Sequence, residues 1–361
     1  ESPPFTAGRR STPEVAPLVA IVSFRLGGPD GVSVVAEHWG EAFGRLGLAV
    51  RTVAGSGRAD RLLPGLAMDA TPGPGLPGRL AEALDGVDLV VVENLCSLPR
   101  NPAAAGALAA HLAGRPAILH HHDLPWQREA FADRPGWPPD DPAWAHVTIN
   151  ERSRKELADR GVVATTVYGG FPTPGPGRPE EARGRLGVAP GRRLLLQPTR
   201  AIPRKNVPAG LAMAEALGAD YWLTGPDEDG YGPELERLLA AATCPVHRRL
   251  PEGLTMDDAY AACDAVVFPS TWEGFGAPLI EASLHRRPLA VGDYPVAAEL
   301  AAFGFRWFPA DDPAHLKAFL ERPDPALLAS NHDVAVAHFS MDALCAQLAG
   351  LLEAAGWGRL L

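Results

Sequence analysis

Short apolar runs alternate with longer amphipathic stretches from one end of the chain to the other. That rhythm is the mark of parallel strands joined by crossover helices. A strand covered on both faces needs no polar alternation, while each covering helix needs one apolar stripe. In the first half the pattern predicts strands at 17–24, 48–54, 88–93, 116–121, 145–149 and 163–168, with helices at 32–46, 79–85, 101–113 and 151–160. The segment Pro172-Thr173-Pro174-Gly175-Pro176-Gly177-Arg178-Pro179 then interrupts the rhythm as the clearest linker in the sequence. Beyond it, strands are expected at 193–198, 220–224, 264–268 and 288–291, and helices at 206–217, 233–242, 255–262, 277–285 and 341–355. Two α/β sheets with a Pro/Gly hinge are the expectation, and such sheets bind ligands at the carboxyl ends of their strands.

Composition narrows the classes. A chain of 361 residues with 46% hydrophobic residues suits two domains with a core each. No apolar run approaches the length of a membrane-spanning helix, so stable membrane insertion is not expected. Glu1-Ser2-Pro3-Pro4 lacks the basic and apolar regions of an intact secretory leader. A formal charge of −10 argues against a nucleic-acid or anionic-membrane partner, since both need a basic face. Cys96, Cys244, Cys263 and Cys345 are scattered, which indicates neither a disulfide framework nor a structural zinc site and fits a cytoplasmic setting. Only Lys155, Lys205 and Lys317 are lysines among 33 basic residues, so a lysine in a suggestive place stands out.

Three apparent signals carry little. Gly73-Pro74-Gly75-Leu76-Pro77-Gly78 fits a dinucleotide fingerprint on paper, but it holds two prolines and does not follow directly from a strand. Asp227-Glu228-Asp229 fits a short acidic metal pattern that arises often by chance and reads equally well as a solvated loop. His120-His121-His122 falls at a strand end, where neighbouring side chains point to opposite faces, so three in a row cannot converge on one ion.

The segment Pro269-Ser270-Thr271-Trp272-Glu273-Gly274-Phe275-Gly276-Ala277-Pro278-Leu279-Ile280-Glu281 is different. It leaves a buried strand, turns through two glycines and opens an apolar helix, an arrangement that favours an anion or a sugar hydroxyl. Glu273 reads either as a cap or as a ligand-binding carboxylate. Glu281 lies between Ile280 and Ala282, where a buried carboxylate needs a hydrogen-bonding partner.

With its E-G-F-G-x-P-x-x-E run, the sequence resembles the retaining GT-B glycosyltransferases of the GT4 family. Further stretches carry the same likeness: Cys263–Ser270 before the run, Arg200-Ala201-Ile202-Pro203-Arg204-Lys205-Asn206, the loop Gly28–Val32, and His122-Asp123. Thr199 stands where the family has glycine, and Tyr168-Gly169-Gly170 where it has an N-G pair. The resemblance implies two Rossmann-like domains with mainly parallel sheets facing a central cleft. On that reading residues 1–172 form an acceptor-binding domain and 173–340 a nucleotide-sugar-binding domain, while 341–361 form a helix returning toward the first. It further implies a hexose donor of the UDP-glucose or GDP-mannose type and a metal-independent front-face reaction without a cofactor. Arg200 and Lys205 would hold the donor diphosphate, with Gly31 approaching it from the first domain. Glu273 with the N–H groups of Gly274, Phe275, Gly276 and Ala277 would hold the sugar, Glu281 the ribose, and His122 would face the transferred sugar.

For the acceptor, Arg25, Asn94, Trp126 and Arg128 follow predicted strand ends of the first domain. A tryptophan face suits a sugar ring, and a guanidinium suits a carboxylate or phosphate. A small anionic acceptor is therefore expected. A sugar-nucleotide 2-epimerase and a non-catalytic sugar or nucleotide binder are the alternatives, and the E-G-F-G-x-P-x-x-E run weighs against the first of these.

Overall fold

The computed structural model describes residues 16–28, 30–132 and 136–361, so the expectation about Glu1–Pro4 and the loop residue Pro29 lie outside the described residues. In the first part of the chain β1 (Leu18–Leu26), α1 (Gly31–Arg45), β2 (Ala49–Gly57), β3 (Arg61–Leu62) and α2 (Leu76–Ala83) come in order. They are followed by β4 (Leu89–Glu93), α3 (Pro102–Leu112), β5 (Ala117–His121), β6 (Trp144–Thr148), α4 (Glu151–Ala158) and β7 (Ala164–Thr166). After the linker come α5 (Pro179–Leu186), β8 (Leu194–Gln197), α6 (Val207–Leu217), β9 (Asp220–Leu223), α7 (Gly232–Ala241) and β10 (Val246–Arg248). The series continues with α8 (Met256–Ala262), β11 (Ala265–Phe268), α9 (Ala277–Leu284), β12 (Leu289–Val291), α10 (Pro295–Ala301) and β13 (Phe308–Pro309). It closes with α11 (Pro313–Glu321), α12 (Pro325–Phe339) and α13 (Met341–Ala354).

The strands form a seven-stranded sheet of order β3-β2-β1-β4-β5-β6-β7 and a six-stranded sheet of order β10-β9-β8-β11-β12-β13. Pairings of β1 with β2 and β4, and of β8 with β9 and β11, are parallel. Both orders are Rossmann-like, and the order reverses beside β1 in one sheet and beside β8 in the other. By contact the chain falls into two compact units. One takes residues up to His120, Pro125–Ala145 and Leu348–Leu361, and the other His121–Leu124 and His146–Gln347.

Strand periodicity builds the second unit's core directly. Leu194 and Leu196 of β8, Val266 and Phe268 of β11, and Leu289 and Val291 of β12 enter one buried cluster. The residues between them, Leu195, Ala265, Val267 and Ala290, enter the cluster on the opposite face. In the first unit Ala20, Val22, Val90, Val92 and Leu119 do the same against α2 and α3 residues such as Leu80 and Leu108.

Several elements escape the periodic pattern. The strands β3, β10 and β13 are two or three residues long, too short to show a period. The helix α5 is polar nearly all round and buries Ala182 alone, while α12 buries only Asn331, Ala335 and Phe339 of its fifteen residues. The helix α2 starts at Leu76 rather than 79, inside the Gly/Pro run, because Pro77 sits near the helix start, where its missing N–H costs nothing.

The linker is fastened to α8. The Gly175 N–H donates to Asp257 Oδ2 at 2.9 Å, and Gly177, at φ 66°, packs so closely that a Cβ would fall 2.5 Å from that of Ala261. Arg178 forks onto Asp258 at 3.1 and 2.8 Å, and Asp258 also closes a capping box with Thr255 at the start of α8. The Arg178 guanidinium, with the Thr255 N–H and hydroxyl, holds the buried Asp258 carboxyl well below the usual carboxylate range. Replacing Asp258 with alanine is expected to lower stability by about 1–2 kcal/mol, the scale of a lost cap. The loss would be read as a lower urea midpoint at unchanged slope. A depressed carboxyl stabilises fully above its unfolded value of about 3.9 and loses that effect as pH falls toward its folded value. The difference between the two proteins should therefore shrink in acid, and a difference constant down to about pH 2 would contradict this account.

Candidate functional site

The six-stranded sheet reverses order between β8 and β11, and the loops leaving those two strands carry the candidate residues. Gln197 closes β8 with a buried side chain that donates to the Lys205 carbonyl at 2.9 Å and accepts from the Tyr221 hydroxyl at 2.7 Å. The loop it anchors ends in a tight turn, Pro203–Lys205, and Asn206 at φ 51° leads into α6. Asparagine tolerates that left-handed conformation better than most residues. The two loops are stitched together: the Thr271 N–H donates to the Arg204 carbonyl at 2.9 Å, and Arg204 Nη1 donates to the Trp272 carbonyl at 3.0 Å.

Across this seam the Glu273 carboxylate accepts from two cations, Lys205 Nζ on Oε1 and Arg204 Nη1 on Oε2. Glu273 is only 6% exposed and Lys205 8%. The ammonium also sits 5.0 Å from the Phe268 ring centre. Burial pushes the Lys205 amine down to about 8; Glu273 opposes the shift, while Arg204 and Arg200 add to it. Buried charge of this kind persists only when paired.

The turn after Glu273 is held on both sides. Asn150 caps α4 by accepting from the Ser153 N–H at 2.7 Å, and its amide donates to the Gly274 carbonyl at 2.6 Å. A Cβ on Gly274 would lie 3.4 Å from the His122 carbonyl oxygen and from Ile149 Cδ1. Gly276, at φ 101° and ψ 60°, opens α9, and a Cβ there would fall 2.6 Å from the Tyr294 hydroxyl. At the start of α9 Pro278 carries no N–H and the Leu279 N–H donates to the Gly276 carbonyl at 2.9 Å, so it is the Ala277 N–H that this helix end offers to an anion or a hydroxyl oxygen. Glu281 lies one turn further on, and its Oε2 accepts from the buried Tyr260 hydroxyl at 2.6 Å. Burial raises the Glu281 carboxyl above its ordinary value.

The structure thus gathers His122, Lys205, Glu273, Gly274, Phe275, Gly276 and Ala277 on one side of the second unit. Arg200 stands apart: it is half-exposed and paired with Glu228 at 2.5 Å, and Arg204 is the arginine that joins Lys205 on Glu273. Arg204 is adjacent to Lys205 in sequence, which was the available signal; Tyr260 and Tyr294 carried none. Asp227 pairs with Arg248 at 3.4 Å, so two of the acidic triplet, Asp227 and Glu228, are engaged with arginines. The histidine tract divides as strand alternation demands, with His120 on Glu93 at 2.9 Å and His121 on His146 at 2.9 Å.

The remaining candidates belong to the first unit. Arg25 pairs with Asp30 at 3.0 Å, and Asp30 caps α1, which Gly31 opens, by accepting from the Ser33 N–H at 3.1 Å. Asn94 takes φ 59° just past β4 and donates its N–H to the His120 carbonyl at 3.0 Å. Trp126 lies in a short turn, Pro125–Gln127, and the Arg128 N–H donates to the Pro125 carbonyl at 3.0 Å.

Comparison with known proteins places this geometry. Residues 180–322 match the family model described as glycosyl transferases group 1. The crystal structure of Anabaena HepE in complex with UDP-glucose matches 93% of this chain and 99% of its own, at TM-score 0.70 and 17% identity. A glycosyltransferase from Rickettsia africae matches 94% and 98%, at TM-score 0.71 and 14% identity. The chain has the GT-B fold. Among curated proteins, the mannosylglucosylglycerate synthase of Thermotoga maritima is 26% identical over 327 residues, covering 73% of this GT-B chain and 76% of that protein. The Petrotoga mobilis enzyme of the same name is 22% identical over 379 residues, covering 80% and 85%. The segment matched by the family model holds both loops of the candidate site, with Lys205, Glu273 and Glu281.

With only three lysines, the ammonium can be followed directly in protein labelled with 13C at lysine Cε. One resonance should titrate near pH 8 and vanish in Lys205→Arg. Glu273→Gln should move the Lys205 midpoint lower still, because it removes the carboxylate that favours the charged amine. A Lys205 resonance that titrates at or above the ordinary lysine value of about 10.4 would refute the buried pairing.

Proposed function

We propose that this protein is a retaining glycosyltransferase of the GT4 type that moves a hexose from a nucleoside-diphosphate sugar to a hydroxyl of a small, carboxylate-bearing acceptor. The observation that carries the reading is the convergence of buried Lys205 and partly buried Arg204 on Glu273 beside the N-terminus of α9 at the order-reversal point of the second sheet. Sugar transfer breaks the anomeric C–O bond and leaves added charge on the diphosphate. Cations and N–H groups already aimed at that charge lower the barrier without reorganising. Lys205 and Arg204 supply the charge, and Arg200 joins them by leaving Glu228. Glu273 steers the two cations and accepts from sugar hydroxyls. The acceptor hydroxyl attacks the anomeric carbon from the face the phosphate leaves, and its proton passes to the departing phosphate oxygen, so configuration is retained.

The acceptor class draws on the two mannosylglucosylglycerate synthases, whose named product contains a glycerate carboxylate. Arg128 is the guanidinium we assign to that group, with Arg25 beside it once Asp30 yields. The protein should therefore be incubated with UDP-glucose or GDP-mannose and with glucosylglycerate, glycerate or a neutral glucosylglycerol. Transfer to an acidic acceptor, with the donor's anomeric configuration in the product, is expected, and it should survive excess EDTA. Transfer to neutral acceptors alone would overturn the acceptor class. Conversion of the donor to its 2-epimer, or binding without turnover, would overturn the transferase reading.

Two variants sharpen the test. Lys205→Ala should lower kcat about 10²–10³-fold, the scale of one lost preorganised donor group. Arg128→Leu should raise the acceptor KM and leave donor binding unchanged. In the wild type, kcat/KM for the donor should fall as pH rises through about 8, because Lys205 loses its positive charge there. Bound diphosphate favours the charged amine, so the corresponding fall in kcat should appear at higher pH.

A further inference from the structure

Glu281 is an unusual residue for its place. It stands on α9 between Ile280 and Ala282, both fully buried, in a helix whose other buried residues are Leu279, Ser283 and Leu284. A carboxylate there has two oxygens to satisfy. The structure gives one of them, Oε2, a short hydrogen bond from the Tyr260 hydroxyl at 2.6 Å.

Tyr260 is itself immobilised. It is 1% exposed on α8, and its ring stacks on the His285 imidazole with centres 4.6 Å apart and planes 17° from parallel. His285 Nε2 lies 3.2 Å from Asp257 Oδ1, and the other oxygen of Asp257 accepts from the linker N–H of Gly175 at 2.9 Å. The stack fixes where the phenol oxygen sits, and its hydrogen bond goes to the Glu281 carboxylate. Its donation sets the rotation of the Glu281 carboxylate and leaves Oε1 and the second lone pair of Oε2 as acceptors at a fixed spacing. Two acceptor positions on one rigid carboxylate match two hydroxyls on adjacent carbons.

Building on the reading of Glu281 as the ribose hook of the donor site, we infer that Tyr260 is a positioning residue that locks Glu281 toward the ribose 2′- and 3′-hydroxyls and so makes the site select ribonucleotides over deoxyribonucleotides. Tyr260 acts through Glu281 and touches no part of the donor. Removing its hydroxyl frees the carboxylate to rotate and withdraws the one donor that favours its ionised form in an apolar setting.

Tyr260→Phe keeps the ring, its volume and its stack on His285, so it isolates the hydroxyl. Binding of UDP, GDP and ADP, each beside its 2′-deoxy and 3′-deoxy counterpart, should be measured by calorimetry on the full chain. The wild type should prefer the ribonucleotide of its cognate base. Tyr260→Phe should weaken that ribonucleotide about tenfold or more, the scale of a hydrogen bond to a charged group, and weaken the deoxynucleotides, which keep one of the two hydroxyls, clearly less. On a Glu281→Gln background the same substitution should add nothing, because the two residues act as one unit. Equal weakening of ribo and deoxy ligands, or none, would overturn the role of Tyr260. A wild type that binds ribo and deoxy forms alike would instead overturn the assignment of Glu281 to ribose, and a wild type that binds no nucleotide would overturn the donor site as a whole.

Discussion

The clasp of Glu273 by Lys205 and Arg204 is the contact on which the second unit's site depends. It joins the loop after β8 to the loop after β11, the two strands between which sheet order reverses. Without the carboxylate, two cations would lie close together with little water to screen them. Without the cations, Glu273 would be a buried anion beside the Phe268 and Tyr294 rings. Each half is costly alone, so the loops hold one arrangement. The backbone was shaped to the same end. Gly225 must lack a side chain because a Cβ would fall 2.4 Å from the Thr199 carbonyl oxygen, and Gly210 because one would fall 2.1 Å from Gln197 Oε1.

This arrangement also explains how a donor site of the proposed kind can stand ready in a chain that is acidic overall. The net charge of −10 excludes a general basic face but says nothing about local charge. The second unit spends three basic residues, Arg200, Arg204 and Lys205, on one loop and offsets each with a carboxylate, Glu228 or Glu273. A diphosphate entering such a place meets cations already desolvated and oriented. Its charge takes over work that the carboxylates do in its absence, and the depressed Lys205 amine marks how strained that ammonium is by burial. A polyanion relieves that strain, which is a physical reason for the site to prefer one.

Much of this was legible in the sequence because buried parallel strands announce themselves. Runs such as Leu89–Glu93 and Ala265–Phe268 are apolar and short, and both sheets followed from them. The Gly-turn-helix at 273–281 and the lysine at 205 pointed to the site because each stands out against its surroundings. The edge strands β3, β10 and β13 were lost to brevity, and α5 to its polar surface. Arg204 entered the sequence reading only within the Arg200–Asn206 stretch, because a motif register names a position, whereas the partner of each arginine depends on where the turn at Pro203–Lys205 aims its side chain. Tyr260 was invisible for a related reason: its partner lies 21 residues away, on another helix.

The helix α8 shows how far the support of a site extends beyond the groups that touch ligand. One face of its first turn holds the linker, through Asp257 with Gly175 and Asp258 with Arg178. One turn later Tyr260 reaches α9 and Glu281. Residues three and four apart share a helix face, so the seven residues of α8 suffice to connect the two. His285 bridges them a second time, stacked on Tyr260 and hydrogen-bonded to Asp257. The Pro/Gly stretch that reads in sequence as an open hinge is thereby tied, in its last residues, to the element that orients Glu281. A change in how Gly175–Arg178 sits on α8 would reach the carboxylate through two side chains.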